Sequence, residues 1–178
     1  MSNGMQVPRG GDSDQKRIQA LVADLDDKDG LHRQEARLEL VQMGEPAVSA
    51  LIAALQDPSE QMRWEAAKAL SEIGDPDAVP ALISALEDPS FGVRWLAAEG
   101  LIALRERGLP PLLEALIHHS DSTWLRQGVH HVLRTMATEY NLHGTLAPVL
   151  KALDDYEPEL EAPAAAAKAL KELDKERV

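Results

Sequence analysis

Tryptophan and histidine are the side chains of this sequence whose types and spacing could support binding or chemistry. Trp64 and Trp95 each follow an arginine and are about 31 residues apart, a spacing typical of repeat arrays. The histidines include two adjacent pairs, His118-His119 and His130-His131. Adjacent residues on a helix point about 100° apart, and no H-E-x-x-H motif is present, so neither pair can chelate a metal by itself. A metal site shared by both pairs stays open as an alternative.

Other residue types exclude further kinds of chemistry. The sequence contains no cysteine, which excludes disulfides, zinc-thiolate sites and thiol nucleophiles. It has neither the G-x-S-x-G turn of a nucleophilic serine nor a glycine-rich loop after a strand that could hold phosphate. The acidic stretch at residues 24–30 fails the calcium-loop pattern, because Leu25 would be its first ligand and Ala36 its last. We therefore predict no catalytic residue, no metal ligand and no cofactor.

The composition indicates a helical protein with a core of small residues. Of the 178 residues, 44% are hydrophobic but only 3% are aromatic, and alanine and leucine fill the apolar class. The net charge of −12 disfavours binding to nucleic acids and to anionic membranes, since both need lysine and arginine. No apolar stretch approaches the roughly 20 residues of a membrane span, and no signal peptide is recognisable. We expect a cytoplasmic monomer whose partner is another protein.

A motif that repeats along the chain predicts the helices that position these residues. Arg33, Arg63, Arg94 and Arg126 each stand near the start of a copy in which alanine or other apolar residues recur at helical spacing. A second helix follows each copy after a short turn, and prolines in its first turn favour that start. A fifth, looser copy covers Ala162–Leu173. No run of β-branched residues alternates with period two, so the predicted fold class is all-α.

The repeats predict one domain. We expect a disordered tail over residues 1–12 and a single repeat domain over residues 13–178. About five helix pairs make up this domain, and they fall roughly at residues 14–44, 45–74, 75–108, 109–143 and 144–174.

A helical wheel of the motif separates a core arc from an opposite face. In the second copy the core arc runs through Ala66, Leu70 and Ile73. Two indoles side by side on the opposite face, among apolar neighbours, indicate an interaction surface. The alternative is that each indole folds over its neighbour and caps the seam between repeats. The positions predicted to bind on this face are Leu38, Trp64, Lys68, Trp95, Glu99, Ile102, Gln127, His131 and Arg134.

The motif D-P-x-x-x-V-R-W-x-A-A-x-x-L followed by G-D-P-x-A-V-P-A-L-I-x-A-L-x-D-P resembles the HEAT-like repeat of the phycobilisome-lyase type. Residues 57–89 and 88–104 carry it best, and the resemblance extends over roughly residues 14–174. It implies a right-handed superhelix of antiparallel helix pairs, with the arginine-bearing helices on the concave face. Families with this repeat include bilin lyase subunits, phycobilisome-degradation factors and many scaffold or adaptor proteins.

The same resemblance implies a structural role for the motif arginines. In HEAT-like arrays an aspartate of the loop and an arginine of the helix form a ladder that joins neighbouring repeats. Charge-assisted bonds of this kind are strong when partly buried. The implied pairs are Asp57 with Arg63, Asp88 with Arg94, Asp121 with Arg126, and Arg33 with Asp27 or Asp29.

Three functional hypotheses follow from these residues. The first is a non-enzymatic scaffold or adaptor that binds a segment of a partner protein in the concave groove, anchored by Trp64 and Trp95. The second is the handling of a tetrapyrrole such as a bilin, with the indoles stacked on its rings and His131 or Arg134 at its carboxylates. The third is a metal-dependent enzyme that uses the histidines of the fourth repeat.

Overall fold

The computed structural model describes residues 10–140 and 142–176, and these residues form ten α-helices and no strand. Residues 1–9 of the predicted tail lie outside the described residues, and the first helix begins at Gly10. Two short 3₁₀ helices, Pro76–Ala78 and Arg105–Arg107, lie in the connections. The α-helices are α1 (Gly10–Asp24), α2 (Gly30–Met43), α3 (Glu45–Ala54), α4 (Glu60–Ile73), α5 (Val79–Ala85), α6 (Phe91–Ala103), α7 (Leu109–His118), α8 (Thr123–Glu139), α9 (His143–Leu153) and α10 (Pro158–Glu176).

Short polar side chains and glycine set the ends of the motif helices. The carboxylate of Asp29 accepts a hydrogen bond from the backbone N–H of Leu31 at 2.9 Å, at the start of α2. The hydroxyls of Ser59 and Ser122 accept backbone N–H groups in the first turns of α4 and α8. Gly74 ends α4 with φ 66° and ψ 30°, a left-handed conformation that glycine adopts without strain. These signals give α2, α4 and α8 a defined start, and α4 also a defined end.

The first eight helices form two rows. The even row consists of α2, α4, α6 and α8, and each of its helices packs on the next. The odd row consists of α1, α3, α5 and α7, whose helices contact their row neighbours less extensively. The even row therefore contains the more extensive contacts between neighbouring repeats. The predicted all-α solenoid of helix pairs is confirmed.

Alanine and leucine fill the space between the rows. Ala66, Ala69 and Leu70 of α4 are fully buried, and small side chains of this kind let neighbouring helices approach closely. The interface between α4 and α6 is the most extensive of the even row. Within residues 10–140 and 142–176, every helix is either too short or too polar to span a bilayer.

The last two helices depart from the order of the others. In a regular array α9 would stack on α7, and α10 would stack on α8. Instead α9 packs on α8 and α10 packs on α7, so the pair has exchanged rows. The hydroxyl of Ser120, just after α7, donates a hydrogen bond to the backbone carbonyl of Glu159 in α10 at 2.9 Å. Helices α7 to α10 therefore form a closed ring in which each helix contacts two others.

The sequence of α10 explains this exchange. Pro163 stands where the motif has its arginine, so α10 lacks the side chain that links the other motif helices. Its buried face consists of Ala162, Ala166 and Ala169, and these small side chains let α10 lie close to the leucines of α7. The fifth motif copy therefore lies beside the odd row and not at the end of the even row.

Candidate functional site

The four motif arginines share one backbone contact. The Nη1 atoms of Arg33, Arg63 and Arg94 donate to the carbonyl oxygen of the residue six positions earlier, at 2.8, 2.9 and 2.7 Å. Arg126 makes the same contact with the carbonyl of Ser120. Arg63 and Arg94 therefore bind the backbone carbonyls of Asp57 and Asp88, and the carboxylate of Asp57 instead accepts the backbone N–H of Ser59 at 2.8 Å.

Carboxylates of the next repeat complete the ladder at its first two positions. Arg63 Nε lies 2.7 Å from Asp88 Oδ2, and this hydrogen bond raises the pKa of the Arg63 guanidinium above its ordinary value. Arg33 Nε lies 3.3 Å from Glu65 Oε1, and Arg37 Nη1 lies 2.5 Å from Glu65 Oε2. Glu65 is only 3% exposed, and it is not among the residues predicted from the sequence. Its position beside the buried alanines of α4 indicates a carboxylate that needs a charged partner.

The ladder changes at Arg94. Among the residues that the structure describes, no carboxylate lies within ion-pair distance of its guanidinium. Arg94 Cζ lies instead 4.8 Å from the ring centre of Trp124 and 5.7 Å from that of Phe91. Asp121, which the resemblance pairs with Arg126, is exposed, and Arg126 donates instead to the Thr123 hydroxyl at 3.2 Å. Two aromatic rings thus surround a cation that carboxylates hold in the earlier repeats.

The two predicted tryptophans occupy different environments. Trp64 is half-buried and lies over Gly92 of α6, where an added Cβ would lie 3.0 Å from its Cδ1 atom. It covers the seam between α4 and α6, which agrees with the capping alternative. Trp95 is 46% exposed and pairs with Phe91 and His131, at ring-centre distances of 6.3 and 4.8 Å. The indoles therefore do not form the single side-by-side pair that the wheel predicted.

An apolar cleft of about 200 Å³ lies between α6 and α8. We call it the aromatic cleft, and its wall consists of Phe91, Arg94, Trp95, Trp124, Gln127 and His131, over a floor of Leu86, Ala98 and Gly128. Phe91 and Trp124 were not among the predicted residues. Both stand in the first turn of their helices, before the point where the wheel begins. The i, i+4 spacing of Phe91 and Trp95 is a signal for Phe91, and no such pair points to Trp124.

The other predicted residues lie along the even row but do not all contribute free surface. Leu38 is 41% exposed, and Arg134 is exposed. The ammonium of Lys68 pairs with Glu72 at 3.2 Å, and Glu99 Oε1 lies 3.4 Å from His131 Nε2. Ile102 differs from the prediction, because it is 9% exposed and belongs to the core.

The histidines of the fourth repeat have separate partners. His130 Nε2 lies 3.1 Å from Asp154 Oδ1, whereas His131 faces Glu99 across the even row. His118 and His119 are exposed at the end of α7. In the part of the chain that the structure describes, no three histidine, aspartate or glutamate side chains converge in a geometry that could hold a metal ion.

One solved structure shares this architecture at a TM-score above 0.5, and two further ones are similar at a lower score. Among solved structures, the chain is similar to the complex of CpcE and CpcF of phycocyanin lyase from Nostoc sp. PCC7120, with 24% identity and a TM-score of 0.57 over 87% of this chain and 98% of that chain. It is also similar, at 21% identity and a TM-score of 0.41, to the designed armadillo repeat protein YIII(Dq.V1)4CPAF in complex with peptide (KR)4, over 87% of both chains. The designed armadillo repeat protein YIII(Dq)4CqI has the same identity and TM-score over 89% of this chain and 87% of that chain.

At this identity the similarity to the CpcE and CpcF complex indicates a shared fold. No curated protein matches the sequence. The family model of HEAT repeats matches residues 15–102 and 48–134, which together cover more than half of the sequence. The chain belongs to the HEAT-repeat family.

Proposed function

We propose that this chain is a non-enzymatic interaction module that binds a segment of a partner protein along the even row. The observation that carries the proposal is the aromatic cleft, where Phe91, Trp95 and Trp124 are 69%, 46% and 44% exposed. Large apolar side chains grouped on a surface mark interaction sites, and tryptophan is enriched among residues that dominate binding energy. The proposal keeps the expected cytoplasmic location and monomeric state.

The charges of the even row favour a protein partner over a nucleic acid. Binding to phosphates needs cations that are free to replace counterions. Carboxylates of the row already hold Arg33, Arg37, Arg63 and Lys68. A partner surface that is mostly apolar with few charges suits such a row better than a phosphate backbone does.

The test compares partner capture by the intact chain and by two variants. The first variant, Phe91→Ala with Trp95→Ala, removes exposed apolar area from the aromatic cleft. The matched control, Tyr156→Ala with Leu160→Ala, removes exposed apolar area near the start of α10, where these side chains are 93% and 66% exposed. Each protein is used as bait in an extract of its native host, and captured proteins are identified by mass spectrometry.

We expect the cleft variant to lose partners that the intact chain and the control both retain. Far-UV circular dichroism must show the same helix content for all three proteins. If the cleft variant captures the same partners in the same amounts as the intact chain, the proposed function is wrong.

A second candidate is the handling of a tetrapyrrole, and the arrangement of Trp95 and His131 favours it. The two rings lie 4.8 Å apart in the aromatic cleft, beside the cation of Arg94, and could meet a flat ligand that carries carboxylates. The cleft volume of about 200 Å³ is below that of typical ligand pockets, roughly 300–1,000 Å³, which places this candidate second. Addition of a bilin to the purified chain tests it, because an unchanged absorbance spectrum would reject it.

A further inference from the structure

Arg94 differs from the arginines at the same motif position in the two preceding repeats. The side chains of Arg33 and Arg63 each meet a carboxylate of the next repeat. That of Arg94 lies against Trp124 and Phe91. The repeat that follows thus supplies an aromatic ring where the earlier repeats supply an anion.

The guanidinium of Arg94 is oriented but incompletely paired. Its Nη1 atom donates to the carbonyl oxygens of Asp88 at 2.7 Å and Pro89 at 3.1 Å. Its other donors make no hydrogen bond within residues 10–140 and 142–176. A guanidinium has five N–H donors in a fixed fork, so Arg94 presents donors of known direction to a ligand in the cleft. Because two aromatic rings displace water from its faces, a carboxylate would bind it more strongly than in open solvent.

The charged residues of α6 make the two ends of the aromatic cleft different, one positive and one negative. Glu99 follows Arg94 by five residues, about 7.5 Å along the helix axis, and its carboxylate faces His131. A second carboxylate is repelled at that end and attracted at the Arg94 end. The cleft volume of about 200 Å³ is smaller than a typical small-molecule pocket and suits one apolar side chain.

We propose that the aromatic cleft recognises a partner segment in which an acidic residue follows an aromatic or aliphatic residue. The apolar side chain enters between Trp95 and Trp124, and the neighbouring carboxylate pairs with Arg94. This inference rests on the proposed function and specifies the chemistry of the segment that is bound.

Blocked tetrapeptides test this preference on the intact chain. The probes are Gly-Phe-Glu-Gly, Gly-Phe-Gln-Gly and Gly-Gly-Glu-Gly, which differ in the carboxylate or in the apolar side chain. Trp64, Trp95 and Trp124 are the three tryptophans of the chain, so a ¹⁵N-labelled sample gives three indole N–H signals. Peptide titrations followed by NMR then report on the cleft through two signals and on the neighbouring seam through the third.

We expect Gly-Phe-Glu-Gly to shift the signals of Trp95 and Trp124 and to leave that of Trp64 in place. The other two peptides bind about two- to fivefold more weakly, as for the loss of a partly exposed ion pair or its apolar neighbour. Equal dissociation constants for the Glu and Gln peptides, or no shift of Trp95 and Trp124 with any peptide, would overturn the inference.

Two variants assign the preference to Arg94. In Arg94→Gln the Glu and Gln peptides bind equally, whereas Arg17→Gln, which removes an exposed cation of α1, keeps the preference. If Arg94→Gln does not fold, the peptide comparison on the unmodified chain still decides. If the Glu and Gln peptides bind equally to the unmodified chain, this inference is wrong and the proposed function is unaffected. If the cleft variant captures the same partners as the intact chain, the proposed function is wrong, independently of the peptide results.

Discussion

Arg63 and Asp88 form a two-point ion pair between neighbouring repeats. Nε and Nη2 of the arginine lie 2.7 and 3.1 Å from the two carboxylate oxygens. The side chains are only 13% and 7% exposed, so the pair lies in the seam and away from water. The same carboxylate accepts the backbone N–H of Ser90 at 2.8 Å. Since removal of either partner leaves a buried charge unpaired, this pair is a sensitive point of the stack.

Replacement of Asp88 by alanine should lower the free energy of unfolding by about 3 kcal/mol, because Arg63 then stays buried without its anion. Urea denaturation followed by circular dichroism at 222 nm measures this change. The control is Glu39→Ala, which breaks an ion pair with Arg17 whose side chains are 45% and 63% exposed. An equal loss in both variants would contradict the special role of the buried pair.

Acid should weaken the loop before α2 through Asp27. The backbone N–H of Asp29 donates to its carboxylate at 2.7 Å, and this hydrogen bond lowers the pKa of Asp27 below its ordinary value of 3.8. A lowered pKa in the folded state contributes stability above the ordinary pKa, and this contribution disappears as the pH falls through the folded value.

The stability difference between the intact chain and Asp27→Ala should therefore be constant near neutral pH and shrink below about pH 4. Urea titrations at a series of pH values give this difference. Gln42→Ala, a neutral and exposed change on α2, provides the baseline. A difference that grows as the solution becomes more acidic would refute the assignment.

Gly128 should be intolerant of a side chain. A Cβ atom there would lie 2.9 Å from Cδ2 and 3.2 Å from Cβ of Leu86, which is fully buried. Alanine at this position forces α8 away from Leu86, and we expect a loss of about 1–3 kcal/mol in thermal or urea unfolding. At Gly144, no described atom outside the adjacent residues and the local helix backbone lies within 4 Å of such a Cβ, so Gly144→Ala should be neutral or stabilising by up to about 1 kcal/mol. Similar effects of both substitutions would argue against close packing in the cleft floor.

The exchanged helix pair predicts a difference between two alanines of α10. Ala166 is fully buried in the contact surface of this helix, whereas Ala164 is exposed. Ala166→Leu should cost about 1–3 kcal/mol and make the α9–α10 connection a preferred site for limited proteolysis. Ala164→Leu should leave both properties unchanged. If Ala166→Leu is as stable as the intact chain, α10 does not pack as described.

Much of the fold follows from the period of the sequence, because Arg33, Arg63, Arg94 and Arg126 recur at nearly equal steps of 30, 31 and 32 residues and so occupy the same position on successive helices. The period does not specify the anion that each arginine meets. The partner of Arg33 is Glu65, a residue of α4, and Arg37 meets the same carboxylate. Only the packing of α2 on α4 brings these three side chains together.

The candidate site was predictable only in part, because the helical wheel did not cover the first residues of each motif helix. The wheel identified Trp95, Gln127 and His131, which all line the cleft. It started one residue before the motif arginine and so did not include Phe91 or Trp124. Periodicity could not predict the row exchange of α9 and α10. It predicts where helices lie along the chain, but not which helices pack against each other.

The ring formed by α7 to α10 affects how the molecule unfolds. In a regular solenoid each repeat contacts only its neighbours, and repeats can separate one at a time from either end. Here α9 and α10 pack on α7 and α8 through a more extensive interface than the one that joins α1 and α2 to α3 and α4. The amide hydrogens of α9 and α10 should therefore exchange more slowly than those of α1 and α2. The end of the helix stack that carries α10 should be the last to fray.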